Sequence, residues 1–194
     1  MSAFTLLAEV ASAFQSEPYP GNEHIVHDNS DYDLEALGIK ESFRVYTWQT
    51  LSDSLMLYEQ SCLGFLSRHG FKYYLPSFLQ FAVRSYAEAA MIPDNIILSL
   101  TLPTEVDVTL SAYRVKLYQL DKDMPKVDWN DIHQNRLQHL NEEVHRFITH
   151  ASQFNPAQGR AILHFLEYMR DEYGGDFFNN EPQVAIERYW FQFA

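Results

Sequence analysis

Phe71-Lys72-Tyr73-Tyr74-Leu75-Pro76-Ser77-Phe78-Leu79 is an aromatic run interrupted by a single proline. Proline has no backbone N–H and a fixed φ, which suits the first turn of a helix, and the residue before it favours extended geometry. The run therefore predicts a helix entered at about Pro76 and continuing to about Ala90. Along it Phe78, Phe81, Ala82, Ser85 and Ala89 share one stripe, and Leu79, Val83 and Tyr86 widen it. A helix apolar round so much of its circumference belongs at the centre of a bundle.

Outward from this segment the period stays helical. Towards the N-terminus, Leu51, Leu55, Tyr58, Cys62, Phe65 and Leu66 step by three and four, and Gly70 suits a C-terminal cap after Arg68-His69. Residues 3–15 place Leu6, Leu7, Val10, Ala11 and Phe14 on one side, and Pro18-Tyr19-Pro20-Gly21 ends that helix. An extended acidic loop follows to about Asp33, and Asp31 or Asp33 can cap a short helix ending near Phe43.

Towards the C-terminus, Pro93 marks the next entrance. Thr104 to about Leu120 admits two periods: Val106, Val108 and Leu110 alternate like a strand, while Leu110, Tyr113, Leu117 and Leu120 step like a helix. Helix after Thr109 is favoured. Asp128 can cap a long helix with Ile132, Leu137, Leu140, Val144, Phe147, Ile148 and Ala151 facing inward. Asn155-Pro156-Ala157-Gln158 carries a cap, an N1 proline and a capping-box glutamine. A last helix runs from about Pro182. The reading is an all-α, single-domain helical bundle of about seven to nine helices over residues 1–194, with 122–150 a possible expansion and 181–194 a C-terminal helix.

Three blocks resemble an uncharacterised bacterial family of unknown function. They are Tyr19-Pro20-Gly21-Asn22-Glu23-His24-Ile25-Val26, the Phe71–Leu79 run, and Phe154-Asn155-Pro156-Ala157-Gln158, with Ala161–Leu166 shortly after. Members share Tyr-Pro-Gly, Phe-x-Tyr-Tyr-Leu-Pro-x-Phe and Phe-x-Pro-x-Gln segments in that order. The resemblance spans about residues 19–173 and departs at 122–150 and in the C-terminal helix. It implies a shared fold and supplies no catalytic residues.

Composition narrows the class further. The 194 residues are 46% hydrophobic and 15% aromatic, enough for a substantial core. No apolar run is long enough to span a membrane, and the first residues lack the pattern of a secretory signal, so a cytoplasmic protein is expected. The single cysteine, Cys62, excludes an intramolecular disulfide. The net charge is −12, and residues 1–60 hold ten acids against Lys40 and Arg44, which makes −8 for that third alone. Such a field repels nucleic acid and anionic membrane and attracts a basic partner.

Chemistry-bearing patterns are sparse. Glu142-x-x-His145 has the spacing of di-iron bundles, but no second such pair occurs, and His133, His139 and His145 turn to different faces of a helix read as solvated. Cys62 falls in an apolar stripe and reads as packing. His164 with Glu167 reads as surface or edge packing. Tyr73 and Tyr74 read as core residues with bonded hydroxyls, in preference to a groove shared with Arg84. Glu23, His24, His27 and Asp28 beside the Tyr-Pro-Gly turn form the one polar cluster able to line a site. No metal site, cofactor or catalytic set is expected.

Two functions follow as expectations. The first is a non-catalytic protein-binding module, most specifically an immunity-type protein that neutralises a cognate basic toxin domain. Its contact residues would be Tyr19, Glu23, Asp28, Asp31, Tyr32, Asp33 and Glu35, aromatic anchors within an acidic field. The alternative is an enzyme or small-ligand protein with a pocket near Tyr19-Pro20-Gly21, in which His24 or His27 meets a carboxylate and a hydroxyl.

Overall fold

In the computed structural model, which describes residues 1–30, 32–124 and 126–194, ten α-helices account for most of the chain, and among the described residues there is no β-strand. Eight of the ten have seven residues or more. They fall into two compact units. One comprises Met1–Thr101 and His150–Ala194, the other Leu102–Thr149.

The first unit is organised on α4 (Arg68–Arg84), whose residues are buried on nearly every side from Phe71 to Val83. Pro76 lies inside this helix, not at its start. The true entrance is Ser67, whose hydroxyl accepts from the Gly70 N–H at 3.0 Å. Proline at mid-helix removes the donor that would serve the Lys72 carbonyl. Here the surrounding core outweighs that local cost, because Leu75, Pro76, Phe78 and Leu79 are all buried. The helix also stops earlier than its apolar stripe suggested. Ser85 leaves helical geometry, Tyr86–Glu88 make a 3-10 turn, and Ala90 takes a positive φ.

The elements around α4 follow from their caps and stripes. α1 (Ala3–Phe14) starts at Ser2, buries Leu6, Val10 and Phe14, and packs on both α4 and α9. α2 (Leu34–Phe43) is capped by Asp33, whose carboxylate accepts from the Ala36 N–H at 3.0 Å. α3 (Asp53–Tyr58) is much shorter than the periodicity of 51–66 predicts. The chain leaves the helix at Glu59, makes a 3-10 turn at Cys62–Gly64, and pairs Leu66 with Val26 in an isolated antiparallel bridge. Gly70 is therefore not a C-cap; it sits in the first turn of α4.

α5 (Ile92–Ser99), with Pro93 in its first turn, packs on α4 and α10. α9 (Pro156–Tyr173) has the anticipated cap: the Asn155 side chain accepts from Ala157 and Gln158 N–H, and Gln158 Oε1 accepts from Asn155 N–H. α10 (Glu181–Arg188) packs on α9, and the 3-10 turn Trp190–Phe193 buries Trp190. The Trp190 indole N–H donates to the Leu100 carbonyl at 2.7 Å. A partly buried polar link ties three parts together. Glu17, just after α1, accepts from Lys72 of α4 at 2.9 Å and from Gln158 of α9 at 2.8 Å. His164 reaches Glu9 of α1 at 2.8 Å.

The second unit contains α6 (Glu105–Leu117), α7 (Leu120–Asp123) and most of α8 (Trp129–Ala151). α6 begins five residues before the favoured start, because Asp107 accepts from the Thr104 N–H at 2.8 Å and completes a capping box. That local bond decides the segment for helix. α8 is capped by Asp128, which accepts from Asp131 N–H at 3.0 Å. Leu140, Phe147 and Ala151 are buried as expected, but Ile132, Leu137 and Ile148 are exposed and Val144 is partly so. His133, read from the sequence as solvated, is instead only 9% exposed and stacks on Trp129. His139 and His145 are exposed. The stretch 122–150 falls almost wholly in this unit.

Candidate functional site

The acidic segment after α1 is not a loose loop. Gly21, at φ +84°, allows the Tyr-Pro-Gly turn, and Asn22–His24 form a 3-10 turn. Ile25–His27 then run alongside Phe65–Ser67. Ser67 N–H donates to the Ile25 carbonyl at 2.9 Å, His27 N–H to the Phe65 carbonyl at 3.0 Å, and the Ser67 hydroxyl to the His24 carbonyl. Ile25 and Val26 are buried beneath this clip. The close approach requires Gly70: a Cβ there would lie 2.0 Å from the Ile25 carbonyl oxygen.

Tyr19 anchors the other end. Its hydroxyl donates to Asn22 Oδ1 at 2.6 Å, and its ring meets the edge of Tyr73 with centroids 5.4 Å apart. Tyr73 in turn packs edge-on against Tyr74, and Tyr74 against Phe43. The Tyr74 hydroxyl donates to the Phe43 and Tyr46 carbonyls at 3.0 and 3.2 Å. Burial pushes the Tyr74 phenol far above its ordinary range, and raises Tyr19 and Tyr73 as well. Both core tyrosines are buried, and Arg84 is engaged elsewhere, paired with Asp53 and lying over the Phe81 ring.

The expected contact residues have separate fates. Asp33 is spent on capping α2. Asp28 accepts from Ser30 N–H at 2.7 Å, a bond that holds its carboxyl below the ordinary range. Glu23 pairs with Lys40 at 2.8 Å, and that hydrogen bond and charge lower its pKa. Tyr19 belongs largely to the tyrosine cluster. Asp31 lies outside the described residues. Tyr32 and Glu35 remain turned to solvent, Tyr32 at 98% exposure.

Leu34, which the sequence reading passed over, is 76% exposed at the first position of α2. Its signal was available in the sequence: in α2 the buried side is Ala36, Ile39 and Phe43, and Leu34 falls off that stripe. Glu59 also joins the set. Partial burial, followed by the nearby Glu35 charge, raises its carboxyl above the ordinary range. Tyr32 and Leu34 thus stand exposed next to Glu35, whose charge reaches Glu59.

A pocket beside Tyr19-Pro20-Gly21 would need His24 or His27 to converge with a carboxylate and a hydroxyl. His27 Nδ1 instead lies 2.7 Å from the Phe65 carbonyl, Glu23 faces Lys40, Asp28 faces Ser30, and the Tyr19 hydroxyl faces Asn22. The four groups have separate partners. Cys62 is buried in its 3-10 turn, and burial drives its thiol pKa up, away from the thiolate a nucleophile requires. Among the described residues no three His, Cys, Asp or Glu side chains are grouped to hold a metal ion, and no helix is long and apolar enough to cross a membrane.

No curated protein and no solved structure matches this sequence. A family model does, over residues 8–194, and it runs through both the 122–150 stretch and the C-terminal helix that the three-block resemblance left outside its pattern. With the Tyr-Pro-Gly clip, the central α4 and the capped α9 all inside the matched region, the chain belongs to the family of unknown function DUF6714.

Proposed function

We propose that this chain is a protein-binding module that docks a basic protein surface on the face formed by Tyr32, Leu34, Glu35 and Glu59. The observation that carries the reading is the exposure of Tyr32 and Leu34 on either side of the Asp33 cap of α2, next to the carboxylate of Glu35. An aromatic and an aliphatic side chain left in water cost free energy that a partner recovers by covering them. The surrounding acids add steering: the first 60 residues carry −8 of the −12 total. Glu23 and Asp28 lie on the same segment but are committed to folding it, which narrows the contact set from seven residues to a smaller one. The clip to Phe65–Ser67 holds the segment in one conformation before any partner arrives, which reduces the entropy lost on docking.

In its specific form the proposal is neutralisation: an immunity-type protein whose acidic face fills the basic cleft of a toxin domain. The test is co-expression with the products of the genes on either side of this one, followed by titration of the purified pair at two salt concentrations. A complex is expected, weakened at least tenfold by Tyr32→Ala with Leu34→Ala, and weakened with a shallower salt dependence by Glu35→Lys. Phe178→Ala, which removes a fully exposed aromatic after α9, serves as the control and leaves affinity unchanged. Absence of a complex with either product, or equal affinity for all variants, overturns the proposal.

A further inference from the structure

The second unit carries a cavity that the docking face does not use. It occupies about 700 Å³, within the range of small-molecule sites, and is lined by residues of α6 and α8 and the connection between them. Its walls are apolar at Val108, Ala112, Val115, Val127 and Leu137. Its charged and aromatic polar groups are Trp129, His133, Lys116, Lys126, Asp121 and Asp128, and Thr109, Asn130 and Gln134 add neutral groups that both donate and accept.

One of these groups is left unsatisfied, and a second lies open beside it. The Trp129 indole N–H is buried without an acceptor. His133, nine-tenths buried and stacked on that indole with centroids 6.5 Å apart, makes no side-chain hydrogen bond among the described residues. Buried polar atoms are almost always paired, so the unpaired indole donor at the cavity wall asks for a partner, and the imidazole beside it is free to join one. An indole N–H can only donate, and so can an ammonium. Lys116 and Lys126 form no ion pair among the described residues. On the acidic side, the Asp128 carboxylate accepts from a backbone N–H at the start of α8 and keeps its charge, while Asp121 makes no hydrogen bond among the described residues. The charged and buried groups left without a hydrogen-bond partner are therefore mostly donors, the indole and two ammonium groups against Asp121, in a lining whose two lysines and two aspartates balance formally.

From this geometry we infer that the second unit binds a small amphipathic anion, an aromatic or aliphatic body bearing one carboxylate. The body lies against the valines and Leu137, and the carboxylate accepts from the indole, the imidazole and the lysines. A large anion such as nucleic acid is disfavoured by the charge of the chain, whereas a small one meets only the local field. This inference is independent of the docking face and stands or falls by itself.

The test uses the full chain and 2-naphthoate, followed by calorimetry and by tryptophan fluorescence, with 2-naphthalenemethanol as the neutral isostere and 2-naphthylmethylammonium as the cationic one. Saturable binding of one naphthoate per chain is expected, at least tenfold tighter than either isostere. Lys116→Met with Lys126→Met changes only exposed side chains, and circular dichroism verifies that the fold is kept. It weakens naphthoate at least tenfold and leaves the alcohol unchanged. Trp129→Phe keeps the ring, removes the donor, and weakens naphthoate three- to tenfold. No saturable binding at millimolar naphthoate, equal affinity for the alcohol, preference for the ammonium, or full affinity in the lysine variant each overturns the inference.

Discussion

Replacing Gly70 with alanine separates a packing glycine from a merely helical one. In an open helical position Gly→Ala stabilises, because alanine is the better helix former by about 1 kcal/mol. Gly38 in α2 is such a site: it is exposed, and a Cβ there meets nothing within 4 Å. Gly70 is not. Its Cβ would lie 2.0 Å from the Ile25 carbonyl oxygen and 2.8 Å from the carbonyl carbon, and these are backbone atoms with no rotamer to escape into. Relief requires the Ile25–His27 segment to move away from α4. That motion breaks the bonds from Ser67 N–H to Ile25 and from His27 N–H to Phe65, at 2.9 and 3.0 Å, and the Ser67 hydroxyl bond to His24. At about 1 kcal/mol each these sum to about 3 kcal/mol. After the propensity gain, a net loss of about 2 kcal/mol is expected, against a gain of about 0.5–1 kcal/mol for Gly38→Ala. Urea unfolding followed by circular dichroism reads both, with the slope held constant as the check that the unfolded state is unchanged. Gly70→Ala at wild-type stability or above refutes the reasoning.

Three further outcomes test caps and packing elsewhere in the first unit. Tyr74→Phe strips the donor from the Phe43 and Tyr46 carbonyls and is expected to cost about 1–2 kcal/mol at neutral pH. Because burial raises the Tyr74 pKa, the folded chain keeps a proton that the unfolded chain releases near pH 10. Stability is therefore full below about pH 10 and falls above it, by up to about 1.4 kcal/mol per pH unit for this tyrosine, and Tyr74→Phe shows a correspondingly shallower alkaline decline in urea titrations. Asn155→Ala removes an acceptor for two N–H groups of α9 and is expected to cost about 1 kcal/mol, while Asn155→Asp, which keeps the acceptor, costs much less. Gly159→Ala drives a Cβ to within 2.3 Å of the Phe193 ring and is expected to destabilise by about 1–2 kcal/mol; combined with Phe193→Ala the added cost nearly vanishes, which a double-mutant cycle of melting curves measures.

Much of this fold can be read from local chemistry, and the failures share a cause. The α9 cap was legible because Asn155, Pro156 and Gln158 each act within one turn of the chain. The α1 stripe and the Asp33 cap were legible for the same reason. Pro76 misled because proline's local preference for a first turn was outweighed by tertiary burial, and Ser67, nine residues earlier, held the real entrance. Gly70 misled because its role depends on Ile25, 45 positions away, which no local pattern reveals. At the candidate site the aromatic–acidic composition was visible, but not its division of labour. Asp33 and Asp28 bind neighbouring backbone, Glu23 binds Lys40, and only the folded chain separates them from Tyr32, Leu34 and Glu35. His133 was missed because a histidine among polar neighbours on a helix looks solvated until Trp129, one turn before it, is seen stacked on it.

The docking face is tested most directly by an amide NMR titration of the isotope-labelled chain with its co-expressed partner. The account predicts that shift changes and line broadening concentrate in residues 32–37 and around Glu59, that they diminish as salt is raised, and that Tyr32→Ala with Leu34→Ala abolishes them. Changes centred elsewhere, with the 32–37 amides unmoved at saturation, would contradict it.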